Sequence, residues 1–194
     1  MNPSQEAVNE LPDFVKNANK GERHAIVKLT LETCCGSAWE QLEQEVNSSQ
    51  GRFLLIMAGV AGGRDKICLE RFALNVRQYR VPDNNQHDWD HDHIVEGAPD
   101  ALRSKLPLRE LLTYLNAKNY ACDISNHAGS YVCNETYFRA MNEWQDNSRC
   151  HGVLFVHVPD YDNYAHTNAE IKDERHRRDT YAACLNEIIN FLVD

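Results

Sequence analysis

The chain has 194 residues, 42% of them hydrophobic and 25% charged, which is typical of a globular protein long enough for one domain with a buried core. Its formal net charge of −9 argues against nucleic acid and anionic membrane surfaces as partners, because both are bound through clustered Lys and Arg. No apolar run approaches the roughly 20 residues needed to span a bilayer. We therefore expect a single domain over residues 1–194 that binds neither nucleic acid nor membranes.

Helical and apolar patterns alternate along the first half of the chain, as in an α/β protein. Residues 3–18 are predicted to form a helix, residues 24–31 a strand and residues 37–47 a short helix. The continuously apolar run over residues 53–60 is typical of a strand buried on both faces. Residues 70–81 are predicted to be extended.

The second half begins after a polar, turn-rich stretch from Pro82 to Pro99, which is predicted to be a loop. Leucines at helical spacing indicate a helix over residues 107–118. The remaining predicted elements are a strand over 120–126, a helix over 132–146, a buried strand over 152–158 and a last helix over about 168–192. Strands separated by helices favour a mostly parallel sheet that is covered on both faces.

The seven cysteines are predicted to be unpaired. Their number is odd, their spacing is irregular and no CxxC pair occurs, which is unlike a disulfide framework. The first residues, MNPSQEAVNELPDF, have no basic start and no apolar core, so they do not resemble a secretory signal. We therefore expect reduced thiols in the cytoplasm. The cysteines are Cys34, Cys35, Cys68, Cys122, Cys133, Cys150 and Cys184.

Cys133 is the first candidate for catalysis, because it follows the start of a predicted helix near Val132. The positive end of a helix dipole stabilises a thiolate and lowers the pKa of the thiol. Backbone N–H groups at the same terminus can hold a developing oxyanion. The alternative is that Cys133 is a small buried apolar residue.

His157 and Glu70 are the candidate partners of this cysteine. His157 ends a predicted buried strand, where open α/β sheets usually place their sites, and a cysteine with a nearby histidine is the minimum for thiol-based acyl transfer. Glu70 stands among apolar neighbours and could orient an imidazolium. The alternatives are a histidine bonded to a backbone carbonyl and a surface glutamate beside Arg71.

Three weaker signals point elsewhere. The tract ERHRR at 174–178 is predicted to be the exposed face of the last helix, and AGGR lacks both phosphate-binding glycine patterns. A metal-binding or redox module depends on the cysteine count and on a polar loop that is more simply solvated. The ligand-type residues of that loop are His87, Asp88, Asp90, His91, Asp92 and His93.

Five blocks of sequence carry a resemblance to a known family. They are GVAGGRDKICLERFALN, YRVPDN, IVEGAP, SNHAGSYVCNETYF and LFVHVP. In this order they resemble the pyroglutamyl peptidase I family, cysteine peptidases that remove an N-terminal pyroglutamyl (5-oxoproline) residue from peptides. The similarity extends from NPSQEAV, near the start of the chain, to the last predicted helix.

The resemblance implies a fold and a catalytic triad. Cys133 corresponds to the nucleophile of the family, His157 to its base and Glu70 to the third member. The implied fold is an α/β/α sandwich with a mixed sheet. The implied reaction needs no metal and no organic cofactor.

The resemblance also implies substrate-binding residues and partners. Arg80, in YRVPDN, corresponds to an arginine near the oxyanion. Val132 helps to line the pocket for the lactam ring, and Asn2 is placed among the binding residues. The implied partners are N-terminally pyroglutamylated peptides and further copies of the chain in a dimer or tetramer.

The beginning of the sequence departs from the family. Family members carry a first strand and a loop of the type TGFxPFGG before NPS, whereas here NPS follows Met1 directly. Two phenylalanines of that segment clamp the pyroglutamyl ring. Two interpretations remain open. In the first the chain is an active peptidase; in the second it is a pseudoenzyme or a binding protein that keeps the triad. We expect a shallow pocket beside Cys133 and lower stability than in a version carrying the strand.

Overall fold

Helices and strands alternate along most of the chain in the computed structural model, which describes residues 2–17, 19–164 and 174–194. The strands are β1 (Phe14–Lys16), β2 (Arg23–Ala25), β3 (Phe53–Val60), β4 (Ile67–Glu70), β5 (Phe72–Leu74), β6 (Arg77–Gln78), β7 (Asp90–Asp92), β8 (Ala101–Arg103), β9 (Cys122–Ser125) and β10 (Cys150–Val158). The helices are α1 (Pro3–Asn9), α2 (Ser37–Ser48), α3 (Leu108–Ala117), α4 (Val132–Trp144), α5 (Tyr161–Tyr164) and α6 (Glu174–Val193).

Four of these strands form a mixed central sheet in the order β3-β10-β4-β9. β10 pairs in parallel with β3 and antiparallel with β4, and β4 pairs in parallel with β9. Parallel neighbours need a crossover connection, and α3 lies in the crossover from β4 to β9. The other strands form three antiparallel pairs, β1 with β2, β5 with β8 and β6 with β7.

Helices cover both faces of the central sheet. α1, α3 and α6 pack on one face, around the fully buried side chains of Leu69, Leu154 and Val156. α2 and α4 cover the other face, where Phe138 and Phe155 belong to a second apolar core. The predicted α/β/α sandwich with a mixed sheet is therefore confirmed.

The first predicted helix is too long. α1 ends at Asn9, and residues 14–16 form β1 instead of continuing the helix. The physical reason is Pro12, which has no N–H to donate and which disfavours helical backbone at the residue before it. The apolar spacing through Val15 resembles a helix face because Val15 is also buried, but as part of the β1–β2 hairpin.

The predicted strand over residues 24–31 is also shortened, because β2 ends at Ala25. The chain stays irregular beyond it and runs beside α1, where the Lys28 ammonium donates to the carbonyls of Asn9 and Leu11. Val27 is 69% exposed while Lys28 is partly buried, so the alternation reflects packing against a helix and not strand pairing.

The strand predicted over residues 53–60 is present as β3, and apolar cores cover both of its faces, with Leu54 and Ile56 packed on one and Leu55 and Met57 on the other. β3 lies at one edge of the central sheet within the described residues, and six of its eight side chains are only half-buried. Its apolar run therefore reflects two covered faces, and the remaining exposure fits its place at the edge of the sheet within these residues.

Shorter elements also differ from the predictions. The loop from Pro82 to Pro99 contains β7, which pairs with β6, and the unpredicted helix α5 follows β10. The predicted start of the last helix, near residue 168, lies outside the described residues. The helices within the described ranges are too short or too polar to cross a bilayer. All seven cysteines carry free thiols.

Candidate active site

One face of the central sheet brings two of the predicted catalytic residues together. Leu69 and Val156 point into the core formed with α1 and α6. Side chains alternate along a strand, so the next residues, Glu70 and His157, point to the opposite face, towards α4. His157 is paired in register with Gly59 of β3.

A short contact joins Glu70 to His157. The carboxylate Oε1 of Glu70 lies 2.7 Å from Nδ1 of the imidazole. Both side chains are buried, with Glu70 fully inaccessible and His157 4% exposed. The Tyr137 hydroxyl donates to the backbone carbonyl of Glu70 at 3.0 Å and ties this strand end to α4. Because Nδ1 faces the carboxylate, Nε2 is the nitrogen left for a reacting group.

Arg64 is a functional candidate that the sequence analysis missed. Its Nη1 donates to Glu70 Oε1 at 2.6 Å, and its Nη2 donates to the carbonyl of His127 at 3.0 Å. The guanidinium therefore shares one carboxylate oxygen with His157, while Glu70 Oε2 is buried without a hydrogen-bond partner among the described residues. The available signal was AGGR itself, which places an arginine directly after a glycine turn and shortly before Glu70.

Cys133 occupies the second position of α4, next to this pair. The loop before the helix turns at Gly129, whose φ of +87° is one that residues with side chains rarely adopt. A Cβ built on Gly59 would lie 3.1 Å from Cys133 Sγ, so the sulfur sits directly over Gly59, the register partner of His157. The described atoms include no hydrogen bond between Cys133 Sγ and the His157 ring.

The electrostatic environment of Cys133 is opposite to the expectation from its helix position. Burial and, next, the negative charge of Glu70 raise the pKa of the Cys133 thiol to about 11. The backbone N–H of Cys133 itself acts in the lowering direction but is the smaller effect. The expected low pKa is therefore wrong for this conformation, because desolvation and a nearby carboxylate outweigh the helix terminus.

Val132 is the first residue of α4, and Arg80 lies in the segment that follows β6. Val132 is buried and packs in a small apolar cluster with Tyr79. Arg80 is exposed, and its side chain has no hydrogen bond or ion pair in the part of the chain that the structure describes. Its segment is joined to the loop before α4, since Gln78 N–H donates to the Ser130 carbonyl at 3.0 Å and Ser130 Oγ donates to the Gln78 carbonyl at 2.8 Å.

Asn2 has a local structural role. It is the N-cap of α1, and its Oδ1 accepts hydrogen bonds from Ser4 N–H at 3.0 Å, Ser4 Oγ at 2.7 Å and Gln5 N–H at 3.3 Å. Its described side-chain contacts all lie within α1, and none of them joins it to Cys133 or His157.

The polar His/Asp loop does not gather ligands. His87 Nδ1 lies 3.3 Å from Asp83 Oδ2, and His91 Nε2 lies 2.9 Å from Gln78 Nε2. Across the described ranges, no three His, Cys, Asp or Glu side chains converge as a metal site would require. The histidines of the loop thus contact nearby polar side chains, His91 both Gln78 and Asp90, without converging on a common point within the described ranges.

Comparisons with known proteins identify the relatives of this chain. A family model described as pyroglutamyl peptidase matches residues 1–173. The chain is 33% identical to a pyrrolidone-carboxylate peptidase of Thermococcus onnurineus over 159 residues, which are 82% of this chain and 76% of the relative. It is 31% identical to the corresponding protein of Thermococcus kodakarensis over 159 residues, 82% of this chain and 74% of the relative.

Solved structures give the same match. The crystal structure of pyroglutamyl peptidase I from Bacillus amyloliquefaciens has a TM-score of 0.82 and 25% identity, covering 100% of this chain and 89% of that one. The crystal structure of pyrrolidone carboxyl peptidase from Thermus thermophilus has a TM-score of 0.80 and 23% identity, covering 98% and 92%. At 23% identity, the match to the Thermus thermophilus structure supports a shared fold only.

Proposed function

Since the chain belongs to the pyroglutamyl peptidase family, we propose that it is a cysteine peptidase that hydrolyses the amide bond after an N-terminal pyroglutamyl residue of peptides. In this proposal residues 1–194 act as one α/β domain. Cys133 is the nucleophile, His157 the general base and Glu70 the residue that orients the imidazole. The observation that carries the proposal is the buried 2.7 Å contact between Glu70 and His157, with the Cys133 sulfur over the register partner of His157.

The first half of the reaction forms an acyl-enzyme. The thiol proton of Cys133 passes to His157 Nε2 while the sulfur attacks the pyroglutamyl carbonyl carbon. Glu70 stabilises the imidazolium that forms. Burial and the charge of Glu70 raise the pKa of the Cys133 thiol to about 11, so the thiol needs His157 as a base to become a nucleophile.

The remaining steps are stabilisation of the oxyanion, departure of the amine and hydrolysis of the acyl-enzyme. Two groups are suited to stabilise the oxyanion. The backbone N–H groups in the first turn of α4 carry partial positive charge, and the guanidinium of Arg80 carries a full positive charge. His157 returns the proton to the leaving amine. Water then attacks the thioester, and free pyroglutamate is released with regeneration of the thiol.

The lactam ring is neutral, so its recognition depends on apolar contact more than on charge. Val132 is suited to this role because it is buried immediately before the nucleophile and belongs to the same small apolar cluster as Tyr79. We propose that substrates are peptides with a pyroglutamyl N-terminus, since this cluster borders Cys133.

The test is hydrolysis of a pyroglutamyl fluorogenic amide by wild-type protein and by Cys133→Ala. Cys150→Ala is the matched control, because Cys150 is also a partly buried free thiol but lies at the opposite end of β10 from His157. We expect hydrolysis to disappear in Cys133→Ala and to persist in Cys150→Ala. Equal turnover in wild type and Cys133→Ala contradicts the proposal.

A second candidate function is a catalytically impaired family member that binds pyroglutamyl peptides without cleaving them. It is favoured because the described hydrogen bond of the His157 ring goes to Glu70, and none among the described atoms joins the ring to Cys133 Sγ. Fluorescence anisotropy with a labelled pyroglutamyl peptide separates the two, since only this candidate gives lasting binding with no product.

A further inference from the structure

A second buried carboxylate lies two residues after Cys133 in α4. Glu135 is 2% exposed, and its Oε2 accepts a hydrogen bond from the Tyr79 hydroxyl at 2.9 Å. Its Oε1 accepts from Arg139 Nε at 3.1 Å and lies 3.7 Å from Arg77 Nη1. Burying a carboxylate is costly unless it is paired. Glu135 meets this condition through Tyr79, Arg139 and Arg77.

Tyr79 links this carboxylate to the candidate oxyanion residue. It directly precedes Arg80 and is 5% exposed. Its ring meets that of Tyr131, the residue that caps α4, at a centroid distance of 4.6 Å, and its backbone N–H donates to the Trp89 carbonyl at 2.8 Å. The position of Tyr79 is therefore fixed from several directions, whereas the Arg80 side chain beside it is exposed and has no described partner.

We propose that Glu135 and Tyr79 are positioning residues that hold Arg80 beside the oxyanion formed at Cys133. This role rests on the proposed function. The two residues act through Arg80 and touch neither the substrate nor the sulfur.

The need for such a device follows from the shortness of the local strands. β6 has only two residues, so backbone pairing alone holds the segment weakly. Arg77 adds a second attachment, because its guanidinium lies 3.9 Å from the centre of the Trp89 ring and also faces Glu135. A shift of the Arg80 backbone by about 1 Å can reduce a rate by about 100-fold, because oxyanion stabilisation depends steeply on position.

The hydrogen bond from the Tyr79 hydroxyl to Glu135 does not depend on pH in the range where the protein works. Burial and the charge of Glu135 raise the pKa of the Tyr79 phenol well above its ordinary value, so Tyr79 remains a donor throughout the working pH range. Tyr79→Phe removes this one bond and keeps both the ring contact with Tyr131 and the apolar cluster that includes Val132.

The experiment measures kcat and KM for a pyroglutamyl fluorogenic amide. We expect Tyr79→Phe to lower kcat by about 10- to 100-fold with KM changed less than about twofold, since only transition-state stabilisation is lost. Tyr114→Phe is the matched control, because the Tyr114 hydroxyl donates to Glu187 at 2.5 Å on the other face of the sheet. It should leave kcat unchanged.

A double-mutant cycle separates positioning from general damage. In an Arg80→Ala background, Tyr79→Phe should have no further effect on kcat, whereas a merely structural defect would lower kcat again by the same factor. Glu135→Ala should reproduce the loss, and Glu135→Gln, which keeps a carbonyl acceptor for Tyr79, should restore most of it. Equal loss in Ala and Gln would overturn positioning through the phenol.

The failures are distinguishable. If Arg80→Ala lowers kcat but Tyr79→Phe does not, this proposal alone is wrong. If the wild-type chain hydrolyses the amide and Arg80→Ala is equally active, the oxyanion role of Arg80 is wrong and the positioning role is wrong with it. A wild-type chain without hydrolysis overturns both the proposed function and this inference.

Discussion

The raised pKa of Cys133 predicts how its alkylation by iodoacetamide depends on pH. With a pKa of about 11, about one Cys133 thiol in a thousand is ionised at pH 8, whereas an ordinary thiol of pKa ~8.5 is about one-quarter ionised. The folded protein should therefore hold about 200-fold less thiolate at this position than the unfolded chain.

The expected difference in rate is smaller than the difference in thiolate. A more basic thiolate is a better nucleophile, with a Brønsted coefficient of about 0.4–0.5, which returns about tenfold over this pKa difference. Alkylation of folded Cys133 at pH 8 should thus be about 20-fold slower than in the unfolded chain, before any loss of access. Because the thiol is protonated below about pH 11, the rate should rise close to tenfold per pH unit from pH 7 to 10.

The assay is timed alkylation followed by peptide mass spectrometry at Cys133, with circular dichroism at each pH to show that the protein is folded. The same peptide from protein in denaturant provides the reference rate. A rate that is already constant between pH 6 and 8 would show a thiolate stabilised by a charged His157 in the free protein. That result would refute the reasoning that burial and Glu70 dominate the environment of the sulfur.

Three further predictions concern the same region. Glu70→Gln should lower kcat for pyroglutamyl amide by about 100- to 10,000-fold with little change in KM, as measured by steady-state kinetics, because the imidazole loses its orienting charge; activity equal to wild type would contradict the triad. Gly59→Ala should lower both kcat and Tm, because its Cβ would lie 2.9 Å from the Phe155 ring and 3.1 Å from Cys133 Sγ, whereas Gly51→Ala, with open space around its Cβ, should change neither. Raising the pH from about 9 to 11 should lower Tm in a thermal scan, and should lower it less steeply in Cys133→Ala. In this window the Cys133 thiol ionises in the unfolded chain but keeps its proton in the folded protein. Unfolding therefore releases protons, and a higher pH favours the unfolded state. A Tm that is constant across this window in both proteins would argue against the raised pKa.

Strong periodic patterns made the layers of the fold predictable. α3, α4 and β10 lie within a few residues of their predicted bounds, because each has a long apolar face or run that only one kind of element can bury. α1 and β2 were over-extended because apolar spacing does not show which neighbour buries the residues. Val15 is buried within a hairpin strand, and the ammonium of Lys28 lies at the end of a helix.

The candidate site, too, was predictable in its residue types but not in its contacts. The residue types and order of Glu70, Cys133 and His157 led to a thiol acyl-transfer hypothesis from sequence, and family membership is confirmed by the comparisons. The catalytic roles of these residues remain predictions. Arg64 could not be recognised from its glycine turn alone, because its contact with Glu70 depends on how the turn folds back over the strand end.

The sequence by itself determined the chemistry available to this protein, the alternation of its layers and the family to which it belongs. Tertiary structure decided the state of that chemistry. The helix terminus predicts a lowered pKa for Cys133, but the folded environment raises it, because desolvation and the charge of Glu70 arise from segments distant in sequence. A local pattern records which groups a residue carries and which helix it starts, whereas ionisation depends on every group that packing brings around it.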